Sequence, residues 1–195
     1  MNALVNRHHG QTAIIVGTGP SIESLQADDF PPGVVIAINH SILVVRALNL
    51  PNMVYSLQKV GCVYHHTGVV PIPITTCVCP SPQMVQPVEP EELILSWAES
   101  AQCFPTYPLR HVVDIQQEFH TGWSTASAET AVMMAHAMGC TSLLMFGHDA
   151  YTVGSGARFV VDPLNADREP LKGYMQSGLN AQRTADTLGL PIVWR

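Results

Sequence analysis

Several residues fit for ligand chemistry stand directly after apolar runs, where a strand would deliver them to a shared edge. Gly17, Thr18, Gly19, Pro20 and Ser21 follow the run Thr12–Val16. Two glycines allow close backbone approach to an anion, and the N–H groups that open a following helix favour phosphate. Ser21 adds a hydroxyl donor. A tight strand-to-helix turn has the same composition, so both readings stand. Asn39 closes the second run, Val34–Ile38. Gly122 and Ser124 open a long helical pattern, where Ser124 serves equally as a cap or a hydroxyl ligand. His148 and Asp149 follow the run Ser142–Phe146. Asp149 could hold a divalent cation, bind a ribose hydroxyl or cap the next turn. His148 could act as general acid or base, because imidazole titrates near neutrality.

Two common phosphate-binding patterns do not fit. A dinucleotide fingerprint wants a third glycine where Ile22 stands, and an acid where Asn39 ends the second strand. No Gly-Lys-Ser/Thr run supports a P-loop. His65, His66, Cys77 and Cys79 have no standard zinc spacing, and no metal ligand is assigned.

The elements that position these residues follow from pattern. Runs that are apolar throughout and separated by short helices indicate strands buried on both faces, as in a parallel sheet. Strands are expected at Thr12–Val16, Val34–Ile38, Met53–Tyr55, Arg110–Ile115, Ser142–Phe146 and Ile192–Trp194. Helices are expected from Pro20 onward, over His40–Leu48, Ser124–Met138 and Leu171–Leu188. Ala128, Ala131, Val132, Ala135 and Met138 give the third of these an apolar stripe, and Gly139 a left-handed end. Eight prolines punctuate residues 61–108, with a short helix expected over Glu91–Ala101 and an edge strand over Val69–Ile74. That stretch reads as a lid or insertion. The whole is a three-layer, Rossmann-like α/β fold with a mostly parallel sheet, a single domain over residues 1–195. In such a sheet the carboxyl ends of the strands share one edge, where the crevice lies.

The bulk composition narrows the function. The chain has 195 residues, 47% hydrophobic and only 12% charged, with a net charge of −6. A chain of this length suits one core rather than two. So few charges suit self-association into a homo-oligomer. The absence of any basic run argues against nucleic acid. No apolar stretch is long enough to span a membrane, and the polar N-terminus is no signal peptide. The five scattered cysteines fit reduced thiols in a cytoplasmic setting.

The runs Ile14–Ile22 and Ile38–Asn39 resemble the opening of two related groups: the 6-hydroxymethylpterin diphosphokinase-like family, which includes motility accessory factors, and the bacterial sialyltransferases that use a CMP-sugar. The runs Thr121–Ala126, Ala135–Gly139 and Leu144–Tyr151 are similar to a later block of both. The resemblance implies that Gly17, Gly19, Pro20 and Ser21 form the nucleotide-phosphate loop and that Asn39, Gly122 and Ser124 contact the nucleotide. It also places Asp149 and Tyr151 in the final site segment. Two departures matter. Thr18 replaces the asparagine that sialyltransferases favour, and Leu171–Gln176 has no histidine where they place their base. The expectation is a nucleotide-dependent transferase, foremost a glycosyltransferase with a CMP-sugar donor, with His148, Asp149 and Tyr151 as the chemical trio. A Mg²⁺–ATP-dependent pyrophosphokinase and a non-catalytic nucleotide-binding module are the alternatives.

Overall fold

The apolar runs pair edge to edge. β1 (Thr12–Val16), β2 (Val34–Ile38), β3 (Met53–Leu57), β4 (Leu93–Ser96), β5 (Val112–Asp114), β6 (Ser142–Phe146) and β7 (Ile192–Trp194) form one sheet. Its seven strands run in the order β5-β4-β3-β2-β1-β6-β7, and every adjacent pair is parallel. This computed structural model describes residues 4–38, 41–57, 93–96, 112–114, 127–152 and 172–195. The fold is the Rossmann-like α/β architecture expected.

Alternation along each strand divides the core in two. Ala13, Ile15, Ile36, Tyr55, Leu143 and Met145 face α2 (Ser127–Ala137) and α4 (Lys172–Leu188). Ile14, Val16, Val35 and Ala37 face the opposite layer, where Ile22, Phe30 and the α1 (Ser41–Ala47) residues Ile42 and Val45 meet them. Most of these side chains are fully buried, and each large aliphatic one contributes roughly 1.5–3 kcal/mol relative to an exposed position. Thr184 on α4 donates its hydroxyl to Glu129 on α2 at 3.1 Å. Small residues, Ala131 and Ala135 against Ala181 and Ala185, let the helices approach.

α2 ends as its sequence predicts. Gly139 takes φ +84°, and Cys140 N–H returns to Ala135 O at 3.0 Å. The carbonyls of Ala137, Met138 and Gly139 accept from Asn6, His8 and Gly10. The N-terminal segment therefore closes the exposed end of α2. His8 is buried there. Its Nε2 lies 2.8 Å from the Tyr55 hydroxyl, and Nδ1 lies 3.3 Å from Gln11 Oε1. The pairing that satisfies every group has Tyr55 donating to Nε2 and Nδ1–H donating to Gln11.

Two expected helices are replaced by something shorter or different. Residues Leu93–Ser96 form β4, with Leu93, Ile94 and Leu95 in register with Tyr55, Ser56 and Leu57. A four-residue apolar run has no helical period to defend, and the open edge of β3 supplies backbone partners. The rest of residues 61–108, including the strand expected over Val69–Ile74, lies outside the described residues. After Gly19 the chain makes only a 3₁₀ turn, Pro20–Ser24, and a second one, Ala27–Asp29. Ile22 and Leu25 both enter the core, and a three-residue repeat aligns positions three apart. Leu25 then turns extended, which ends the spiral.

Candidate functional site

The order in which the seven parallel strands are laid down reverses at β1, with β2 on one side of it and β6 on the other. Such a reversal sends the loops leaving two neighbouring strands to opposite faces and opens a crevice at their carboxyl ends. The residues leaving β1 and β6 are Gly17–Ser21 and Gly147–Asp149. Residues 128 apart in sequence thus meet across this point.

The two loops are fastened to each other by their main chains. Gly17 N–H donates to Phe146 O at 2.7 Å, and Gly19 N–H donates to Gly147 O at 2.8 Å. Gly147 takes φ +69°, a left-handed conformation that L side chains rarely adopt. Gly19 is required by proximity: a Cβ there would overlap the Asp149 carboxylate and stand 2.8 Å from Gly147 O. Asp149 begins α3 (Asp149–Thr152). Its carboxylate accepts from Ser21 N–H at 3.3 Å on each oxygen and from the Ser21 hydroxyl at 2.9 Å.

Gly17, Gly19 and Ser21 have their N–H groups engaged as described, Pro20 has none, and Ile22 N–H donates to Gly19 O. Thr18 N–H forms no hydrogen bond with a described residue. Thr18 is therefore the backbone donor through which this loop can meet a ligand, with its hydroxyl beside it. The short 3₁₀ turn adds little dipole, so an anion here would depend on particular N–H groups rather than on a helix end.

His148 lies under Gly17, with Cε1 3.0 Å from where a Gly17 Cβ would stand. Its ring meets Trp194 edge to face at 5.5 Å. The residue as a whole keeps some exposure, yet Nε2 is out of reach of water and has no partner among the described residues. Burial pushes the imidazole down from 6.5 to about 4, with the Asp149 charge opposing only in part. His148 is thus neutral at pH 7, a hydrogen-bonding group rather than a carrier of charge. Tyr151 packs on Trp194 at 4.5 Å and against α4 at Gly178, where a Cβ would stand 2.5 Å from the Tyr151 Cβ. Trp194 is fixed in turn by donating Nε1–H to Gln182 at 2.7 Å.

The structure therefore brings Gly17, Thr18, Gly19, Pro20 and Ser21 together with His148, Asp149 and Tyr151. Asn39, Gly122 and Ser124 lie outside the described residues. Two contributors escaped the sequence reading. Trp194 forms the floor under His148 and Tyr151, and its only signal is an aromatic residue ending the last strand. Ser41, the first residue of α1, is fully buried with its hydroxyl 2.8 Å from Val16 O and 2.9 Å from Ile38 O. It ties the ends of β1 and β2, and a serine opening a helix was its only mark. Among the described residues no group of three or more His, Cys, Asp or Glu could hold a metal ion, and no helix is long and apolar enough to cross a membrane.

Sheet order and loop geometry together define a doubly wound α/β protein in which the Gly17–Ser21 and Gly147–Asp149 loops meet at the strand reversal. No protein-family model matches the chain, and no curated protein does. Among solved structures it is similar to the sialyltransferase CstII from Campylobacter jejuni, determined in complex with a substrate analogue, cytidine-5′-monophosphate. The TM-score is 0.50 at 13% identity, over 95% of this chain and 80% of that one. At that identity the likeness is one of fold.

Proposed function

We propose that the protein is a nucleotide-dependent transferase, foremost a glycosyltransferase that uses a CMP-sugar. The observation that carries this reading is the meeting of the Gly17–Ser21 and His148–Tyr151 segments at the strand reversal, the place where open α/β sheets take ligands. The fold shared with a sialyltransferase bound to cytidine monophosphate supports the choice of nucleotide. Thr18 is the loop's donor to the phosphate, and Asn39, Gly122 and Ser124 orient the nucleotide. In the transfer, the bond from the sugar's anomeric carbon to the phosphate oxygen breaks and the nucleoside monophosphate leaves with both electrons. An acceptor hydroxyl then forms the new bond and loses its proton. The Tyr151 hydroxyl, on the ring that packs against Trp194, is the group suited to relay that proton to the departing phosphate. A phosphate-linked sugar is a good leaving group, so positioning and electrostatic stabilisation supply most of the rate.

Isothermal titration with CMP, CDP, ATP and GTP, with and without Mg²⁺, tests the reading. Metal-independent binding of CMP, tighter than about 1 mM or roughly −4 kcal/mol, is expected. Preference for ATP with Mg²⁺ would replace it with pyrophosphoryl transfer. Binding without turnover of any donor would replace it with a non-catalytic module.

A further inference from the structure

We propose that Asp149 is a positioning residue: its carboxylate pins the Gly17–Ser21 loop to the turn between β6 and α3, and Gly19 is glycine in order to admit that pin. The role of the loop in holding a nucleotide rests on the function proposed above, whereas the pin itself does not.

Among the described residues, Ser21 is the carboxylate's hydrogen-bond partner. Both of its oxygens lie 3.3 Å from Ser21 N, and one also takes the Ser21 hydroxyl at 2.9 Å. A carboxylate that accepts from one residue's amide and hydroxyl together is fixed in orientation. The volume next to it is the missing Cβ of Gly19. The main-chain bonds from Gly17 to Phe146 and from Gly19 to Gly147 hold the same two segments in register. Three consecutive attachments thus end at Asp149, the first residue of α3. Two residues further on, Tyr151 lies between Trp194 and Gly178. By fixing Ser21 on one side and the start of α3 on the other, Asp149 sets how Thr18 and Tyr151 stand relative to each other. This work requires hydrogen-bond acceptors and does not require the negative charge to face a ligand.

Asparagine discriminates between the roles. In Asp149→Asn the side-chain carbonyl still accepts from Ser21 N–H, and the amide donates to the Ser21 hydroxyl, which can accept. The pin survives while the charge is lost. In Asp149→Ala both contacts vanish. A metal ligand or general base would fail equally in both variants.

The test uses the full chain with Asp149→Asn, Asp149→Ala, Ser21→Ala and the Ser21→Ala/Asp149→Ala double variant. Urea unfolding of the ligand-free proteins reads the pin. The double variant should unfold at the same midpoint as Asp149→Ala, because the Ser21 hydroxyl has lost its acceptor already. Midpoint losses that simply add would overturn the proposal. Calorimetric titration with CMP, at a temperature where all variants are folded, reads positioning. Asp149→Asn should bind within about threefold of the parent, and Asp149→Ala should bind about tenfold or more weakly. Equal weakening in Asp149→Asn and Asp149→Ala would overturn it in favour of direct contact with the ligand. Should the parent protein itself not bind CMP, the nucleotide reading fails and the unfolding cycle alone decides the pin.

Discussion

His148 makes the fold sensitive to mild acid by an amount that can be worked out. Its imidazole titrates at about 4 in the folded protein because burial disfavours the charged form, against 6.5 when exposed. A folded pKa below the unfolded one means that the unfolded chain takes up the proton first as pH falls. Stability is therefore complete above about pH 6.5 and is lost progressively down to about pH 4. Each unit of separation corresponds to about 1.4 kcal/mol, so the full loss is roughly 3 kcal/mol, with about 2 kcal/mol gone by pH 5. The partial exposure of the residue as a whole makes these upper values. The assay is urea unfolding at pH 7, 6, 5 and 4 for the parent protein and for His148→Gln, which keeps a polar side chain but does not titrate. Carboxylates contribute to acid loss in both proteins and cancel in the difference. The stability of the parent minus that of the variant should shrink by roughly 2 kcal/mol between pH 7 and pH 5. A difference that stays constant with pH would refute the claim that His148 is held neutral by burial between Gly17 and Trp194.

Three further outcomes follow from named contacts. Tyr55→Phe removes the donor to His8 Nε2 and leaves a buried nitrogen unpaired; unfolding at pH 7 should show a loss of about 1–3 kcal/mol. Ser41→Ala removes the hydroxyl shared by Val16 O and Ile38 O, and denaturant unfolding should show a loss of about 1–2 kcal/mol. Gly19→Ala forces a methyl group against Asp149 and Gly147; it should cost about 1–3 kcal/mol of stability, and the folded variant should bind CMP more weakly than the parent by calorimetry.

β1 and β2 were legible because they are buried on both faces, and burial on both faces writes an uninterrupted apolar run. Val34–Ile38 has no buried residue out of pattern. β4 was not legible, since Leu93–Ser96 is equally apolar in a helix or a strand, and only the neighbouring edge of β3 decides between them. The 3₁₀ turn after Gly19 was misread for a related reason. Pro20 correctly announced a helical start, but nothing local said that Ile22 and Leu25 had to bury together and stop the spiral.

The site shows the same division more sharply. Glycines at 17 and 19 announced that something must come close to the main chain, and an anionic ligand was the natural candidate. In the structure the group that comes close to Gly19 is already part of the protein: the carboxylate of Asp149, whose place after β6 fits metal, ribose or capping roles equally well by itself. Glycine and acid are two halves of one contact, and a reading that treats each run by itself must count them twice. Across this contact the chemistry is local while the sequence separation is 128 residues, so only the parallel register of β1 with β6 brings the halves together. What the loop's main chain can donate to a ligand is what remains after that internal pairing, and among the described residues that remainder is the Thr18 N–H.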